Sequence, residues 1–218
     1  MKVFACATLT VASTLAIKIE ERASYERKVF RKGECPTLEL MGGADGEGVD
    51  LERLEGDWFT RASMNMAHFT PLSCIHSVCE FDPETDSFHS AIEMNLGTQK
   101  WVISDITSKY TAPNYDTYLF DEKLRISSGI LATDYDTYSV DYACFDGMQL
   151  EMEEGQDPEP VHYLVMSLSV RDPNDRKVDR KIETALKDIP HLSKEDFDWH
   201  AMGDKHCDYT LLFEGEDL

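Results

Sequence analysis

Basic residues are scarce in this sequence. Only 21 lysines and arginines stand against 42 aspartates and glutamates, and the formal net charge is −21. A surface this acidic repels phosphate backbones and anionic lipid headgroups, so nucleic acid is not expected as a partner. The charge itself is typical of a highly soluble protein in an extracellular fluid and does not identify a partner.

Long apolar segments are missing as well. The uncharged run over residues 3–15 is shorter than the roughly 20 residues that a transmembrane helix needs. It follows Lys2 and ends in small residues, which predicts a secretory signal peptide over residues 1–16. A buried N-terminal strand is the alternative. We therefore expect a secreted protein without a membrane span.

Cysteine is sparse, with six in 218 residues, and no pair has the CxxC spacing of a metal or redox motif. Cys6 lies in the predicted signal peptide. The other five predict two disulfides and one free thiol in an oxidising compartment. Catalytic Ser/His/Asp patterns and glycine-rich phosphate loops are also lacking in any convincing context. No enzymatic activity and no required cofactor are expected.

What is present is a run of short β-rich segments between Trp58 and Arg171. They predict eight strands, over residues 57–64, 74–82, 87–96, 100–110, 116–121, 126–132, 137–145 and 161–170. Residues 174–188 have apolar side chains at helical spacing and predict an amphipathic helix. An all-β fold follows: an eight-stranded antiparallel up-and-down barrel with a C-terminal α-helix packed outside, because closure removes exposed sheet edges.

The polar segments lie at the two ends and in one loop. Residues 17–34 are dense in charge and predict a mobile or loosely attached N-terminal arm. Residues 146–160 predict a long acidic loop, to which we assign no role, and residues 211–218 an acidic tail. Residues 35–210 are then predicted to form one barrel domain that includes the helix.

Four motifs lie along this order. Residues 30–36 read FRKGECP, residues 56–58 read GDW, residues 133–138 read TDYDTY, and Arg171 follows the last predicted strand. Together they resemble the lipocalin family, and in particular its branch of apolipoprotein D and bilin- or carotenoid-binding proteins such as insecticyanin and crustacyanin. The resemblance covers nearly all of the chain after the predicted signal peptide.

The resemblance implies structural roles for six motif residues. Trp58 would plug the narrow end of the barrel, and Arg171 would lie across its indole while donating to backbone carbonyls. A glycine before the tryptophan allows close entry into the barrel. The TDY motif suits a tight turn held by side-chain hydrogen bonds. The six residues are Gly56, Trp58, Thr133, Asp134, Tyr135 and Arg171.

The resemblance also implies the disulfide pairing. It pairs Cys35 with Cys144 and Cys74 with Cys207, which leaves Cys79 as the free thiol. A Cys79–Cys207 bond, with Cys74 free on the same strand, remains open as the alternative.

The interior of the barrel follows from strand alternation. If Cys74 and Cys144 face outward, their odd-numbered neighbours face the cavity; other strands are assigned by shared faces or by analogy with relatives. Many of these inward residues are small, which favours a roomy cavity, and the aromatic ones suit a flat conjugated ligand. The predicted ligand-binding residues are Ile75, Ser77, Cys79, Phe81, Phe88, Ser90, Ile92, Ile130, Ser139, Asp141, Ala143, Phe145, Tyr163, Val165 and Ser167.

Four polar residues have competing interpretations. Asp141 could accept hydrogen bonds from the pyrrole N–H groups of a bilin, or equally bind water or Tyr163. Cys79 is interpreted as a buried inert thiol rather than a covalent or catalytic one, because nothing basic lies beside it in the sequence. His76 and His89 are expected on the outer surface, and no metal site is expected.

The resulting hypothesis is a secreted carrier of a small hydrophobic ligand, with a conjugated pigment such as biliverdin or a carotenoid favoured. The pigment follows from the branch that the motifs resemble. A carrier of retinoid, fatty acid or pheromone is one alternative, and a thiol-dependent isomerase using Cys79 is another. Assembly into a homo- or hetero-oligomer is the third.

Overall fold

The structure, a computed structural model, describes residues 30–32, 35, 49–64, 72–111, 114–119, 124–148, 161–189 and 192–211. The predicted signal peptide lies outside the described residues, as do most of the N-terminal arm, residues 149–160 of the acidic loop and the tail after Leu211. Ten strands, one α-helix and two short 3₁₀ helices are described.

Eight of the strands form the barrel. Each pairs antiparallel with the next along the chain, and the first pairs with the last, with Phe59 opposite Val170 and Met64 opposite Met166. This last ladder closes the sheet, so the predicted up-and-down architecture is confirmed. The eight strands are β2 (Gly56–Met64), β3 (Leu72–Asp82), β4 (Ser87–Leu96), β5 (Gln99–Thr111), β6 (Asn114–Leu119), β7 (Leu124–Thr133), β8 (Tyr138–Met148) and β9 (Val161–Val170).

Two short strands extend the sheet beyond the barrel. β1 (Phe30–Lys32) pairs antiparallel with β9, and β10 (Asp198–Trp199) pairs with β2. β1 belongs to the segment that was expected to be loosely attached. That expectation is wrong for these three residues, because backbone pairing joins them to the edge of β9.

The α-helix, α1 (Val178–Asp188), packs on the outside of the barrel. Its buried residues are Val178, Ile182, Ala185 and Leu186, the same apolar face that the periodicity predicted. Val178, Ile182 and Leu186 join a cluster with alternate residues of β9, which are Leu164, Met166, Leu168 and Val170. No helix in the described part of the chain is long and apolar enough to cross a membrane.

The helix begins four residues later than predicted. Residues 174–177 instead form turns: Asn174 N–H donates to the Asp172 carboxylate, and Lys177 N–H to the Asp175 carboxylate, each at 2.8 Å. Aspartate side chains that capture nearby backbone N–H groups favour turns over helix. The chain therefore crosses from β9 to the helix through two local caps.

Arg61 links the α-helix to the barrel through an ion pair. It lies at a bulge in β2, is fully buried, and its Nε and Nη2 donate to the two carboxylate oxygens of Asp179 at 2.9 and 2.8 Å. A two-pronged bond of this kind fixes direction as well as distance. The helix is thus oriented by its hydrogen bonds to Arg61 of β2, and it packs against β9.

Two disulfides join distant parts of the chain to the outer wall. Cys35 is bonded to Cys144 and Cys74 to Cys207, the pairs that the resemblance implied, and Cys79 is a free thiol. The alternative Cys79–Cys207 bond is therefore wrong. Cys74 has a positive φ of 53° beside an irregularity in the β3–β4 register.

A segment after Cys207, residues 208–211, covers the outer face of β2, β3 and β4. Tyr209 packs edge-on against Phe59 and His76, and Thr210 donates to Glu93 through both its N–H and its hydroxyl at 2.9 Å. The prediction that His76 lies on the surface is wrong: its side chain faces outward from the barrel but is 1% exposed. His89, by contrast, is exposed as predicted.

Candidate functional site: the cavity inside the barrel

A cavity of about 190 Å³ lies within the barrel. Seven of the eight barrel strands contribute to its wall, together with Leu54 from the 3₁₀ helix Glu52–Leu54. Inward side chains converge there because every second residue of a closed sheet faces the axis. The lining residues are Leu54, Trp58, Ser77, Cys79, Phe88, Ser90, Ser108, Ser128, Ile130, Ser139, Asp141 and Ser169.

One end of the cavity is closed by an apolar cluster. Leu54, Trp58 and Phe88 are buried together, and Phe81 lies against Phe88 with ring centroids 5.4 Å apart. The Trp58 indole N–H donates to the Leu54 carbonyl at 2.8 Å, so its one polar atom is satisfied inside the cluster. This arrangement holds the indole ring rigidly against the cavity.

Arg171 supports Trp58 from the other side. Its guanidinium carbon lies 3.7 Å from the centre of the indole ring, and its N–H groups donate to four backbone carbonyls, of Arg53, Glu55, Asp57 and Tyr135. Stacking and a fork of donors are properties of arginine that lysine lacks. The guanidinium thus joins the start of β2 to the β7–β8 turn.

Gly56 is required by this contact. It has a φ of +96°, and a Cβ at this position would lie 3.2 Å from Nη1 of Arg171. A positive φ is costly for residues with a side chain. The glycine therefore serves both the backbone conformation and the close approach of the arginine.

The β7–β8 turn is held by its own side chains. Asp134 accepts hydrogen bonds from the Thr137 N–H at 2.7 Å and from the Thr137 hydroxyl at 2.6 Å. Burial alone would raise the pKa of Asp134, but the bonds from Thr137 and Lys181 outweigh it and lower the pKa well below the usual range. The turn is part of the scaffold and does not line the cavity.

Polar groups form a second part of the cavity wall. Six of the twelve lining residues are serines, and one, Asp141, is a carboxylate. Asp141 accepts hydrogen bonds from the hydroxyls of Ser139 and Ser169. Burial raises the pKa of Asp141 to about 6, and the serine hydrogen bonds only partly offset it. Near neutral pH this carboxylate is therefore mostly ionised but close to its titration.

Cys79 is the free thiol of the wall. Its sulfur accepts a hydrogen bond from the Ser90 hydroxyl at 3.7 Å. Burial raises the pKa of the Cys79 thiol, and the Ser90 bond and the more distant Arg171 offset this only in part. Because the thiolate is the nucleophilic form, a raised pKa makes the thiol poorly reactive at neutral pH.

The structure brings seven of the predicted ligand-binding residues together in the cavity wall: Ser77, Cys79, Phe88, Ser90, Ile130, Ser139 and Asp141. The other eight do not line this cavity. Phe81 packs behind Phe88, and Ser167 hydrogen-bonds to Asp141. Ile92, Ala143, Phe145, Tyr163 and Val165 lie on the same inner face by register, further along the strands. Ile75, on β3, is buried.

Five lining residues were not among the predicted ligand-binding residues: Leu54, Trp58, Ser108, Ser128 and Ser169. Trp58 was assigned a structural role alone. Ser169 lies two residues after Ser167, and alternation does place it on the predicted inner face; Ser128 lies two residues before Ile130, so alternation was sufficient to find it as well. Ser108 had no such signal, because no cysteine or motif anchors the facing of β5.

Among the described residues, no three His, Cys, Asp or Glu side chains are grouped so as to hold a metal ion. The wall offers hydroxyls, one thiol and one carboxylate, which together can bind an organic molecule through apolar contact and hydrogen bonds.

Known structures with the same architecture are lipocalins. Insecticyanin from the tobacco hornworm Manduca sexta matches with a TM-score of 0.57 at 17% identity, over 84% of this chain and 93% of that one. Apocrustacyanin C1 matches with 0.57 at 16% identity, over 81% and 92%. H1 crustacyanin from the lobster Homarus americanus matches with 0.54 at 17% identity, over 87% and 95%.

No protein-family model and no curated protein matches this chain. At these identities the structural likeness establishes the fold and nothing finer. The chain has the lipocalin fold.

Proposed function

We propose that this protein is a secreted carrier of a small hydrophobic molecule, which it holds inside the barrel. The observation that carries the proposal is the cavity itself: a closed eight-stranded wall around about 190 Å³, sealed at one end by Trp58 and lined in part by Leu54, Phe88 and Ile130. An eight-stranded barrel is wide enough to hold one small ligand when its inward residues are small. Here six of them are serines.

A carrier fits this wall better than an enzyme does. The group best suited to covalent catalysis is Cys79, and its raised pKa keeps it protonated at neutral pH. Asp141 is the other titratable group of the wall, and its partners are serine hydroxyls rather than a nucleophile with a base. An isomerase that uses Cys79 is therefore disfavoured.

The ligand we favour is a conjugated pigment such as biliverdin or a carotenoid. The motifs resemble the bilin- and carotenoid-binding branch, and insecticyanin and crustacyanins share the fold. Pockets for drug-sized ligands are about 300–1,000 Å³, so a pigment would extend from the described cavity along β8 and β9. The aromatic pair there, Phe145 and Tyr163, with ring centroids 6.0 Å apart, would offer it a flat surface.

Secretion is supported by the two disulfides. Structural disulfides persist in oxidising compartments and are rare in the cytosol. The apolar run over residues 3–15 after Lys2 is consistent with export by a signal peptide.

The test is to purify the protein natively and to identify what it carries. An absorption band in the visible range, together with a pigment in the organic extract by mass spectrometry, supports the pigment. A colourless protein that yields a retinoid or fatty acid overturns the pigment and retains the carrier. An empty extract from a protein that afterwards binds none of these classes overturns the carrier.

A cavity-filling variant locates the site. Ile130→Trp places an indole in the cavity, so ligand affinity should fall more than about tenfold, because the volume that the ligand needs is occupied. Val102→Trp is the matched control, since Val102 is 53% exposed on β5. Equal binding by both variants would show that the ligand lies elsewhere.

A further inference from the structure

The cavity wall has an unbalanced charge. Asp141 is its carboxylate, and no lysine, arginine or histidine is found among the twelve residues that line the cavity. The groups that contact Asp141 are hydroxyls of Ser139, Ser167 and Ser169, which are neutral donors. Among the described residues that line the cavity, none carries a positive charge that would neutralise this carboxylate.

Two carboxylates outside the cavity do have a cation. Glu93, on the outer face of β4, lies 2.8 Å from the Lys100 ammonium. Asp179, on α1, receives two bonds from the Arg61 guanidinium. An unpaired charge away from water is expensive, and Asp141 differs from these two in facing a cavity that a ligand can enter.

We propose that the cavity selects an apolar ligand with a protonated nitrogen group, and that this group lies against the Asp141 carboxylate as its counter-ion. The inference rests on the proposed carrier function and, of the two pigments named there, favours biliverdin, which has ring nitrogens, over a carotenoid, which has none. The serine hydroxyls around Asp141 would accept the remaining N–H bonds, since a hydroxyl both donates and accepts. Ligands that lead with a carboxylate would be repelled.

The volume limits what enters. An engineered apolar cavity of about 150 Å³ binds benzene, so about 190 Å³ accommodates one aromatic ring with a short aminoalkyl group. Leu54, Trp58, Phe88 and Ile130 would contact the ring. A larger ligand would place only its nitrogen-bearing end here.

Binding of such a ligand depends on pH. The titratable group of β3 that faces the same cavity is Cys79, which is protonated at neutral pH, and Arg171 lies behind Trp58 with its N–H groups on backbone carbonyls. On β8 and β9 the groups that hydrogen-bond to Asp141 are serine hydroxyls, and its register partner on β7 is Ile130. With the pKa of Asp141 at about 6, protonation below this pH removes the charge, and amine affinity should fall by up to about tenfold per pH unit.

The experiment compares three probes of one shape: phenethylamine, 2-phenylethanol and 3-phenylpropionate, titrated calorimetrically into the full-length protein. At pH 7.5 the amine should bind at least about tenfold more tightly than the alcohol, since hydrogen bonds to a charged group are the stronger ones, and the carboxylate should not bind. At pH 5 the preference should shrink at least about fivefold. An alkylamine stays protonated throughout, with a pKa near 10 like that of lysine.

Two variants assign the preference to Asp141. Asp141→Asn should bind amine and alcohol equally, and Asp188→Asn, which changes an exposed carboxylate of α1 outside the cavity, should keep the wild-type ratio. If the alcohol binds as tightly as the amine, if no probe binds, or if Asp141→Asn keeps the preference, the inference is overturned. The wild-type pH profile decides should that variant not fold. The carrier is judged separately, by the extract.

Discussion

Asp141 and Glu93 are carboxylates on opposite faces of one sheet; Glu93 is buried and Asp141, which borders the cavity, is partly buried. Glu93 faces outward beneath residues 208–211, within 2.8 Å of Lys100 and 2.9 Å of the His76 ring. Burial alone would raise its pKa, yet the bonds from Lys100, His76 and Thr210 lower the pKa to about 2. Asp141 faces inward, and burial raises its pKa to about 6.

The difference shows that burial does not decide the charge state of a carboxylate. Both groups lose water, but only the outer one receives a cation and backbone N–H donors in return. Glu93 thus has positively charged partners within the chain, whereas Asp141 has none among the described residues that line the cavity. Removing the charge of Glu93 and removing that of Asp141 should therefore change the free energy of unfolding in opposite directions.

The largest effect is expected from the Cys74–Cys207 disulfide, which precedes residues 208–211 and holds them over Glu93. The double variant Cys74→Ser, Cys207→Ser should lose about 2–5 kcal/mol of unfolding free energy, because the bond closes a loop of more than a hundred residues. Urea denaturation measures the loss. Cys79→Ser, on the same strand, should change stability by less than about 1 kcal/mol. An equal loss of stability in this variant and in the double variant would contradict a stabilising role for the disulfide and for residues 208–211.

Glu93→Gln should destabilise the protein by about 3 kcal/mol at pH 7, since a lowered pKa of about 2 corresponds to that stabilisation of the ionised form. The stabilisation is present above pH 4.5 and is lost as the pH falls through about 2. The gap between variant and wild type should therefore close in acid. Glu84→Gln, in the exposed β3–β4 turn, is the control, and a gap independent of pH would contradict this account.

Asp141→Asn should do the opposite and stabilise the protein, by about 1–3 kcal/mol at pH 7.5. A raised pKa means that the folded state retains its proton, so wild-type stability declines as the pH rises from about 4 to about 6. Unfolding at pH 4 and pH 7.5 should show the advantage only at the higher pH. A loss of stability at pH 7.5 would show that Asp141 already has a counter-charge.

The smallest effect is expected from the hydroxyl of Thr210, within residues 208–211. Thr210→Val removes the 2.9 Å bond to Glu93 but keeps the backbone bonds, and should cost about 1 kcal/mol. In the Glu93→Gln background the cost should be smaller, because the bond to a charge is gone. Thr107→Val, on an exposed position of β5, is the control, and additive losses would show that the two groups do not interact.

The sequence was sufficient for the barrel and for part of its interior. Seven of the eight strands lie within two residues of their predicted ends because turn residues separate them, and only β8 extends three residues further. Ser77, Cys79, Ser139 and Asp141 were found because their strands carry a disulfide cysteine or a motif that sets the facing. Where no such anchor exists, as at Ser108, alternation alone does not say which face is inside.

Sequence reasoning failed where a distant segment decides the environment. Alternation places His76 on the outer face, and it does lie there. It is nevertheless buried, because residues 208–211 return across the sheet and have no periodicity of their own to predict this contact. The same return brings Thr210 to Glu93, and so the pKa of Glu93 depends on a contact across more than a hundred residues.

The fluorescence of Trp58 can report whether the cavity is occupied. Of its three tryptophans, Trp58 is in the cavity wall, whereas Trp199 is 38% exposed. Emission from a Trp101→Phe, Trp199→Phe variant would come from Trp58 alone, held between a guanidinium and the cavity. Any molecule that enters would shift or quench that light, so occupancy can be followed in dilute solution without labelling.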